Sequence, residues 1–408
     1  MKIQDHPPLH LTYCLNIHPG ESWRENLQAI QEKALAVRDR LGVRGPFGLG
    51  LRRGRRAADE LAAGGNLERF RAFLASERLY VFTVNGFPYG PFHGTPVKED
   101  VYRPDWRTTE RRDYSILLAD LLCGLLPPDV SGSISTVPGS YKSWVGGEED
   151  VLLMARNLCD VALHLDRLAQ DRGRSITLAL EPEPDCFIET TEEAIGFFQC
   201  PLLAEGRRHL QQAGGLSASE AEAVIRRHLS VCLDLAHAAV EFEDPLESLR
   251  RLASAGIAVG KVQLSAALVA PTASEARRKL EDFRDRVYLH QVKVRREDGA
   301  IRSFPALPAA LACEEERTPA DEWRVHFHVP LFCDRYGPLE SSASRLGPAF
   351  WDCLRGGASE HLEIETYTFG VLPAGLGSAD VVNNIVREYR WVLERLGVSL
   401  NNLAGDSR

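Results

Sequence analysis

No C-x-x-C pair occurs in this sequence, and its nine cysteines are scattered rather than spaced as a framework. An odd, unpatterned set in a chain of 408 residues argues against a disulfide-stapled fold or a zinc finger. It reads as reduced, mostly buried thiols in a cytoplasmic protein. No stretch approaches the ~18 uninterrupted apolar residues of a membrane-spanning helix, so no membrane span is expected. The opening MKIQDHPPLH lacks the apolar run of a secretory signal, so none is expected there. A basic surplus is missing too: 48 Lys and Arg stand against 57 Asp and Glu, a net charge of -9. That excludes a general nucleic-acid binder, which needs a basic face. The dense run Arg52, Arg53, Arg55, Arg56 reads as a solvated helix start at least as readily as a local basic groove. Also lacking are a Gly-x-Gly-x-x-Gly after the first strand, a P-loop and a nucleophilic serine elbow. Their absence removes support for dinucleotide binding, phosphate-loop chemistry and serine hydrolysis.

What is present is ordinary globular composition, 44% hydrophobic and 26% charged, arranged in alternation. Short β-rich runs start at Leu11, Phe47, Leu79, Gly132, Ile176, Ser230, Val259 and His361. Helix-like stretches separate them. In WRENLQAIQEKALAVRDRLG, Leu27, Ile30, Ala34, Leu35, Val37 and Leu41 form an apolar stripe closed by Gly42. VLLMARNLCDVALHLDRLAQDRG is closed likewise by Gly173. Strand–helix repetition implies parallel strands with right-handed crossovers, and eight such units imply a closed (β/α)8 TIM barrel. A barrel needs only about 250 residues, so one decorated domain spanning 1–408 is expected. Two excess segments are read as insertions. One, about 86–130 after the third strand, is rich in Gly, Pro and aromatics and suits an ordered, non-helical excursion. The other, about 286–335 between the seventh and eighth strands, holds two further β-like runs, VYLHQVKV and WRVHFHVPLF.

The strand ends carry the chemistry. The fifth strand ends in Glu181; the sixth ends in Asp234, followed by His237; the seventh carries Gln263; the eighth carries Glu363 and Glu365. A carboxylate in an apolar strand is costly to bury unless paired, protonated or bound to a metal. Glu363 and Glu183 read equally as structural ion-pair partners. Glu181, Asp234 and Glu365 all sit at C-terminal strand ends, where barrel sites assemble. Such oxygen donors suit Mg²⁺ or Mn²⁺, and a histidine among them shifts the choice toward Mn²⁺, Co²⁺ or Zn²⁺.

ITLALEPEP, VCLDLAHAA and HLEIETYT resemble the metal-binding strand ends of the xylose-isomerase-like barrel superfamily, which includes sugar-phosphate isomerases, ketose 3-epimerases and the endonuclease IV family. TYCLNIHPGESW, FTVNGFPYGPFHG, VKEDVYRPDW, YLHQV, HFHVPLF and ETYTFGVLP resemble the EboE family of bacterial metabolite traffic proteins, over nearly the whole chain. The superfamily resemblance implies a metal held by Glu181, Asp234, Gln263 and Glu365. It implies proton-transfer roles for Glu181 and Glu365, and a substrate-binding or metal-binding His237. Where the superfamily has a metal histidine on its seventh strand, this chain has Gln263, a weaker, uncharged ligand. His326 and His328, spaced to share one face of a strand, are the residues that could compensate.

Further candidates for substrate contact are His18 after the first strand, which could face the barrel mouth together with Asn16, Asn85 at the end of the third, Lys261 on the seventh, and His290 in YLHQV, cofacial with Tyr288. Glu21 and Ser22 can instead simply open the next helix. His93 and Lys98 could fold over the pocket, and Phe87, Tyr89, Phe92, Tyr102 and Trp106 either wall it or pack the excursion. The functional expectation is a metal-dependent isomerase or epimerase of a small polyhydroxylated or phosphorylated metabolite. The alternatives are a metabolite-binding protein on the same barrel and, third, an endonuclease-like hydrolase.

Overall fold

The computed structural model describes residues 1–92, 98–271, 274–284, 289–313, 321–370, 372 and 380–400. Its larger sheet holds nine strands: β1 (Lys2–Gln4), β2 (Leu9–Tyr13), β3 (Phe47–Arg52), β4 (Leu79–Asn85), β5 (Gly132–Thr136), β6 (Ile176–Leu180), β7 (Leu229–Asp234), β8 (Val259–Leu264) and β15 (His361–Ile364). The order is β1-β2-β15-β8-β7-β6-β5-β4-β3. All pairings except the antiparallel β1–β2 are parallel. A parallel bridge between Cys14 and Gly50 joins β2 to β3, so the eight parallel strands close into a (β/α)8 barrel. Every strand expected from the sequence is one of these eight.

The helices follow from caps and stripes. Ser22 caps Trp23–Ala29 in a reciprocal box with Glu25, and Gly42 ends Leu35–Leu41 at φ 71°. Between them Ile30–Ala34 is a π-helical turn, so the expected stripe is present but locally underwound. Gly173, at φ 63°, closes the long helix Glu148–Arg172. The excursion after β4 is shorter than expected, because Thr109–Leu125 is a barrel helix. The basic run divides. Arg55 and Arg56 are solvated and pair with Asp59 and Glu60. Arg52 and Arg53 are buried, bonded to Glu21 and Asn26, so half of this run is interior structure. All nine cysteines are unpaired thiols. No helix among the described residues is long and apolar enough to cross a membrane.

Polar groups fill much of the barrel interior, each needing a partner there. Ser133 Oγ donates to Thr83 Oγ1 at 2.8 Å, and Thr177 Oγ1 donates to Ser230 Oγ at 2.8 Å. Lys261 on β8 and Glu363 on β15 form a fully buried ion pair at 2.6 Å. Gly50 gives Glu363 its space: a Cβ there would lie 2.0 Å from Glu363 Oε1 and 2.9 Å from the Tyr13 carbonyl.

Between β8 and β15 the chain builds a second sheet: β9 (Leu268–Ala270), β10 (Val292–Arg295), β11 (Ile301–Phe304), β12 (Glu322–Val325), β13 (Arg335–Tyr336) and β14 (Leu339–Ser341). Its order is β11-β10-β12-β9-β14-β13, antiparallel throughout. The insertion therefore starts earlier than expected, at β9, and one buried apolar cluster runs through both sheets. Beyond β12 the chain turns toward the barrel mouth, tied by Val329 N–H to the Ala266 carbonyl at 2.8 Å.

Glu388, on the last helix (Val381–Arg395), fastens this turn. Its Oε1 accepts from Leu331 N–H at 3.2 Å and from Thr366 Oγ1 at 2.7 Å. Burial pushes its carboxyl up to about 8, against those two hydrogen bonds. The folded chain thus holds a proton there that the unfolded chain releases near the ordinary carboxylate range. Native stability accordingly falls as pH rises from about 4.5 to 8. Glu388→Gln, which keeps the accepting oxygen, is expected to raise the melting temperature at pH 9 and change it little at pH 4. Equal shifts at both pH values would show that Glu388 does not titrate across this range.

Candidate metal centre and cleft

Glu181 follows β6, Asp234 ends β7 and caps the short helix Leu235–Val240, and Glu365 follows β15. The superposed strand ends bring them to one mouth with His237, one helical turn from Asp234. His326 and His328 join from the loop after β12. They do not lie within a strand, as the spacing suggested, yet their rings still meet. Three overlapping triads result: Glu181–Asp234–His237, Asp234–His328–Glu365 and His237–His326–His328. In each, the ligand atoms lie within 4.8 Å of one another, the span across one ion with ligand bonds of roughly 2.0–2.6 Å. Asp234 belongs to two triads, one with Glu181 and one with Glu365; no triad among the described residues holds all three carboxylates.

The histidines are oriented by what their Nδ1 atoms meet. His237 Nδ1 lies 2.9 Å from the Pro182 carbonyl and His328 Nδ1 lies 2.9 Å from the Glu365 carbonyl. A carbonyl only accepts, so in both rings Nδ1 carries the proton and donates. His326 Nδ1 meets Gln291 Oε1 at 2.8 Å. The Gln291 amide is fixed because its Nε2 donates to the Pro184 carbonyl at 3.0 Å and to Tyr102 Oη at 3.0 Å. His326 therefore also donates from Nδ1. All three rings turn an Nε2 lone pair into the site, and those of His326 and His328 face each other at 3.3 Å. Burial depresses the affinity of these rings for a proton: His237 is pushed down to about 4, His328 lies below its usual value, and His326 lies well below it. Facing lone pairs with no proton between them repel, and a cation removes the repulsion.

The carboxylates give the same indication. Glu181 Oε2 and Asp234 Oδ2 are buried without a hydrogen-bond partner among the described residues, a costly state for such groups. Burial, then Glu365 and Asp234, push the Glu181 carboxyl well up; burial, Asp234 and Glu363 do the same to Glu365. Burial opposes ionisation of Asp234 too. There His237 and His328, with hydrogen bonds from His237 N–H at 2.9 Å and Ser265 Oγ at 2.8 Å, prevail and hold it below the usual range. Asn16 and Asn85 donate to Glu365 Oε1 at 2.5 and 3.1 Å, which orients that carboxylate. Three imidazole nitrogens and three carboxylates fit a divalent cation.

Above this floor lies a cleft of about 60 Å³. Asn16, Asn85, Glu181, Glu183, His237, His326, His328 and Glu365 line it, with Phe87, Phe92, Lys98 and Tyr102 from the excursion. Other expected contacts are placed elsewhere. Lys261 is consumed by its ion pair with Glu363. Gln263 Oε1 accepts from the Cys232 thiol at 3.0 Å, and Gln263 does not line the cleft. His18 Nε2 is bonded to Tyr13 Oη at 2.9 Å, and His290 Nδ1 donates to the His326 carbonyl at 2.8 Å. Neither ring lines the cleft. Trp106 is wholly buried and Tyr89 packs on Tyr114, so these two aromatics hold the excursion in place. His93 and Tyr288 lie outside the described residues.

Two amides complete the centre: Asn16, which the sequence already places at the barrel mouth beside His18, and Gln291, which it does not single out. Asn16 sets Glu365, and Gln291 sets the His326 tautomer. Gln291 stands beside His290 in YLHQV, but nothing local marks an amide as a ring's acceptor. Glu183, read as equally able to be structural, faces the cleft and accepts from Tyr102 Oη at 2.7 Å.

No family model matches the chain, and no curated relative does. Solved structures similar to it include the IolI protein with a bound zinc atom, 11% identical over 95% of this chain and 98% of that one, TM-score 0.48. A xylose isomerase-like TIM barrel protein from Mycobacterium smegmatis in complex with magnesium is 12% identical over 97% and 98%, TM-score 0.49. D-psicose 3-epimerase with D-tagatose from Clostridium cellulolyticum H10 is 12% identical over 97% and 98%, TM-score 0.47. At these identities the likeness concerns the fold.

Proposed function

We propose that this protein is a metal-dependent isomerase- or epimerase-like enzyme of the cytoplasm acting on a small polyhydroxylated metabolite. The observation that carries the reading is the convergence of three Nε2 lone pairs and two partnerless carboxylate oxygens at the barrel mouth. Glu181, Asp234, His328 and Glu365 would hold the cation, with His326 and His237 on its other side. His328 thereby takes the place that Gln263 leaves vacant. When bound, such a cation grips adjacent substrate oxygens and polarises a carbonyl.

The chain's own groups supply the rest. Glu181 and Glu365 stand on strand ends across the mouth, placed to take a proton from a carbon next to a carbonyl and return it. Asn16 and Asn85 keep Glu365 aimed during that transfer. His237 Nε2, a lone pair because Nδ1–H is committed to Pro182, accepts a hydrogen bond from a substrate hydroxyl. Burial of the whole floor excludes water that would quench a carbanion-like state.

A second reading is favoured by the engagement of Gln263 with Cys232. The strand that gives a metal histidine in the resembled superfamily gives none here, and the long motifs resemble the EboE traffic family. The protein would then bind its metabolite without turning it over.

Protein purified without chelator is expected to contain about one transition-metal ion per chain by elemental mass spectrometry, and His328→Ala to contain much less. Incubation with ketohexoses and their phosphates in D2O, followed by NMR, then tests the enzyme reading. Deuterium entering next to the carbonyl marks the enzyme. Metal without exchange removes ketohexoses and their phosphates as substrates of the enzyme reading, and no metal removes the shared premise of both.

A further inference from the structure

The cleft is segregated into two chemistries. Its floor is entirely polar, as described. Its upper wall is apolar: Phe87 and Pro88 from the loop after β4, Phe92 and Val101 from the excursion, Leu289 from the insertion and the ring of Tyr367 after β15. Phe92 meets Tyr367 edge-on at 5.4 Å, and Tyr367 in turn covers His328 at 4.7 Å. Phe87 meets Tyr102 at 5.9 Å. Val101 and Leu289 remain half-exposed at the mouth. Among the described lining residues Lys98 is the one cation.

This division is hard to reconcile with a bare sugar. A sugar carries an oxygen on every carbon, and each oxygen desolvated against Phe or Leu without a donor is penalised. A phosphate end would call for several donors or cations at the mouth. The lining suits a ligand divided the same way.

Building on the metal reading above, we propose that the substrate is amphiphilic. It presents adjacent hydroxyl or carbonyl oxygens to the carboxylate and histidine floor, and an aromatic or unsaturated apolar group, not a phosphate, to the Phe87–Phe92–Leu289 wall. The apolar group sets specificity, while the floor sets chemistry.

Hydroxamates test this, since each binds a cation through two adjacent oxygens and the tail can be varied alone. The manganese-loaded full chain is titrated calorimetrically with acetohydroxamate, benzohydroxamate and phosphonoacetohydroxamate. Benzohydroxamate is expected to bind at least about tenfold more tightly than acetohydroxamate, the scale of one ring seated in an apolar pocket. Phosphonoacetohydroxamate should gain nothing. Phe92→Ala and, separately, Val101→Ala should each cut the benzohydroxamate advantage by about threefold or more, with acetohydroxamate unchanged as the control for folding. Equal affinities for the acetyl and benzoyl probes, or tightest binding of the phosphonate, would overturn the amphiphilic assignment and leave the metal reading standing. A chain that elemental analysis shows to take up no manganese sinks the metal reading, and this assignment falls with it.

Discussion

Lys261→Met is expected to destabilise the protein by about 3–5 kcal/mol, the cost of leaving one partner of a buried ion pair behind. Lys261 and Glu363 are both fully buried, 2.6 Å apart, in the middle of the barrel. Burial alone would lower the affinity of the Lys261 ammonium for its proton, but Glu363 raises it instead. Glu363 also sits above its usual range, since burial outweighs what Lys261 returns to it. The contact distance and the retained ammonium proton favour the ionised pair. Removing Lys261 strands that carboxylate, and Gly50, Thr12 and Tyr13 pack too closely around it to admit much water. The double substitution Lys261→Met with Glu363→Leu should recover most of the loss, because two apolar side chains of similar volume replace a pair whose desolvation nearly offsets its attraction. Urea unfolding of the single and double variants measures both values. A Lys261→Met protein as stable as wild type, but weakened in ligand binding, would return this lysine to the cleft, where the sequence had suggested it belonged.

The same residue shows what a sequence can reveal about such a fold. All eight barrel strands are legible because each is a short β-rich run between helical stripes, and strand-end position alone selects Glu181, Asp234 and Glu365. Depth along a strand is less legible. Glu363 and Glu365 differ by one pleat, yet one is a structural counter-ion and the other faces the cleft. The β8–β15 register that decides this, Glu363 opposite Gln263, is not written locally. Alternation shows that Lys261 and Gln263 point inward but not which layer consumes them. The histidines that matter arrive by a longer route. His326 and His328 depend on the whole inserted sheet to carry them back over the barrel, and their tautomers depend on Gln291 and two carbonyls. The excursion was overextended because its Gly-Pro-aromatic opening dominated the reading, while Thr109–Leu125 carries only a weak apolar stripe.

Glu365→Gln is the change in which the metal and structural readings predict opposite signs. Among the described residues no cation pairs with Glu365: its carboxylate accepts from Asn16 and Asn85 and lies within one ion's span of Asp234. Without metal, like charges crowd there: burial, then Asp234 and Glu363, push Glu365 well up, and burial, then Glu365 and Asp234, do the same to Glu181. A glutamine keeps the oxygen that the two asparagines need and removes a charge, so the metal-free variant should melt at the same temperature as wild type or higher. Metal behaves the other way. At a free concentration of 100 times Kd, Mn²⁺ should stabilise the wild type by about 2.7 kcal/mol through binding to the folded state alone. Loss of one anionic ligand should abolish most of that gain. Thermal melts of both proteins with EDTA and with Mn²⁺ give the four numbers required. A metal-free variant destabilised by about 3–5 kcal/mol would mean that Glu365 is the buried partner of a cation, and the centre would then be an ion-pair network. A wild-type melting temperature that ignores Mn²⁺, Co²⁺ and Zn²⁺ alike would leave the three facing imidazoles without the cation that their geometry calls for.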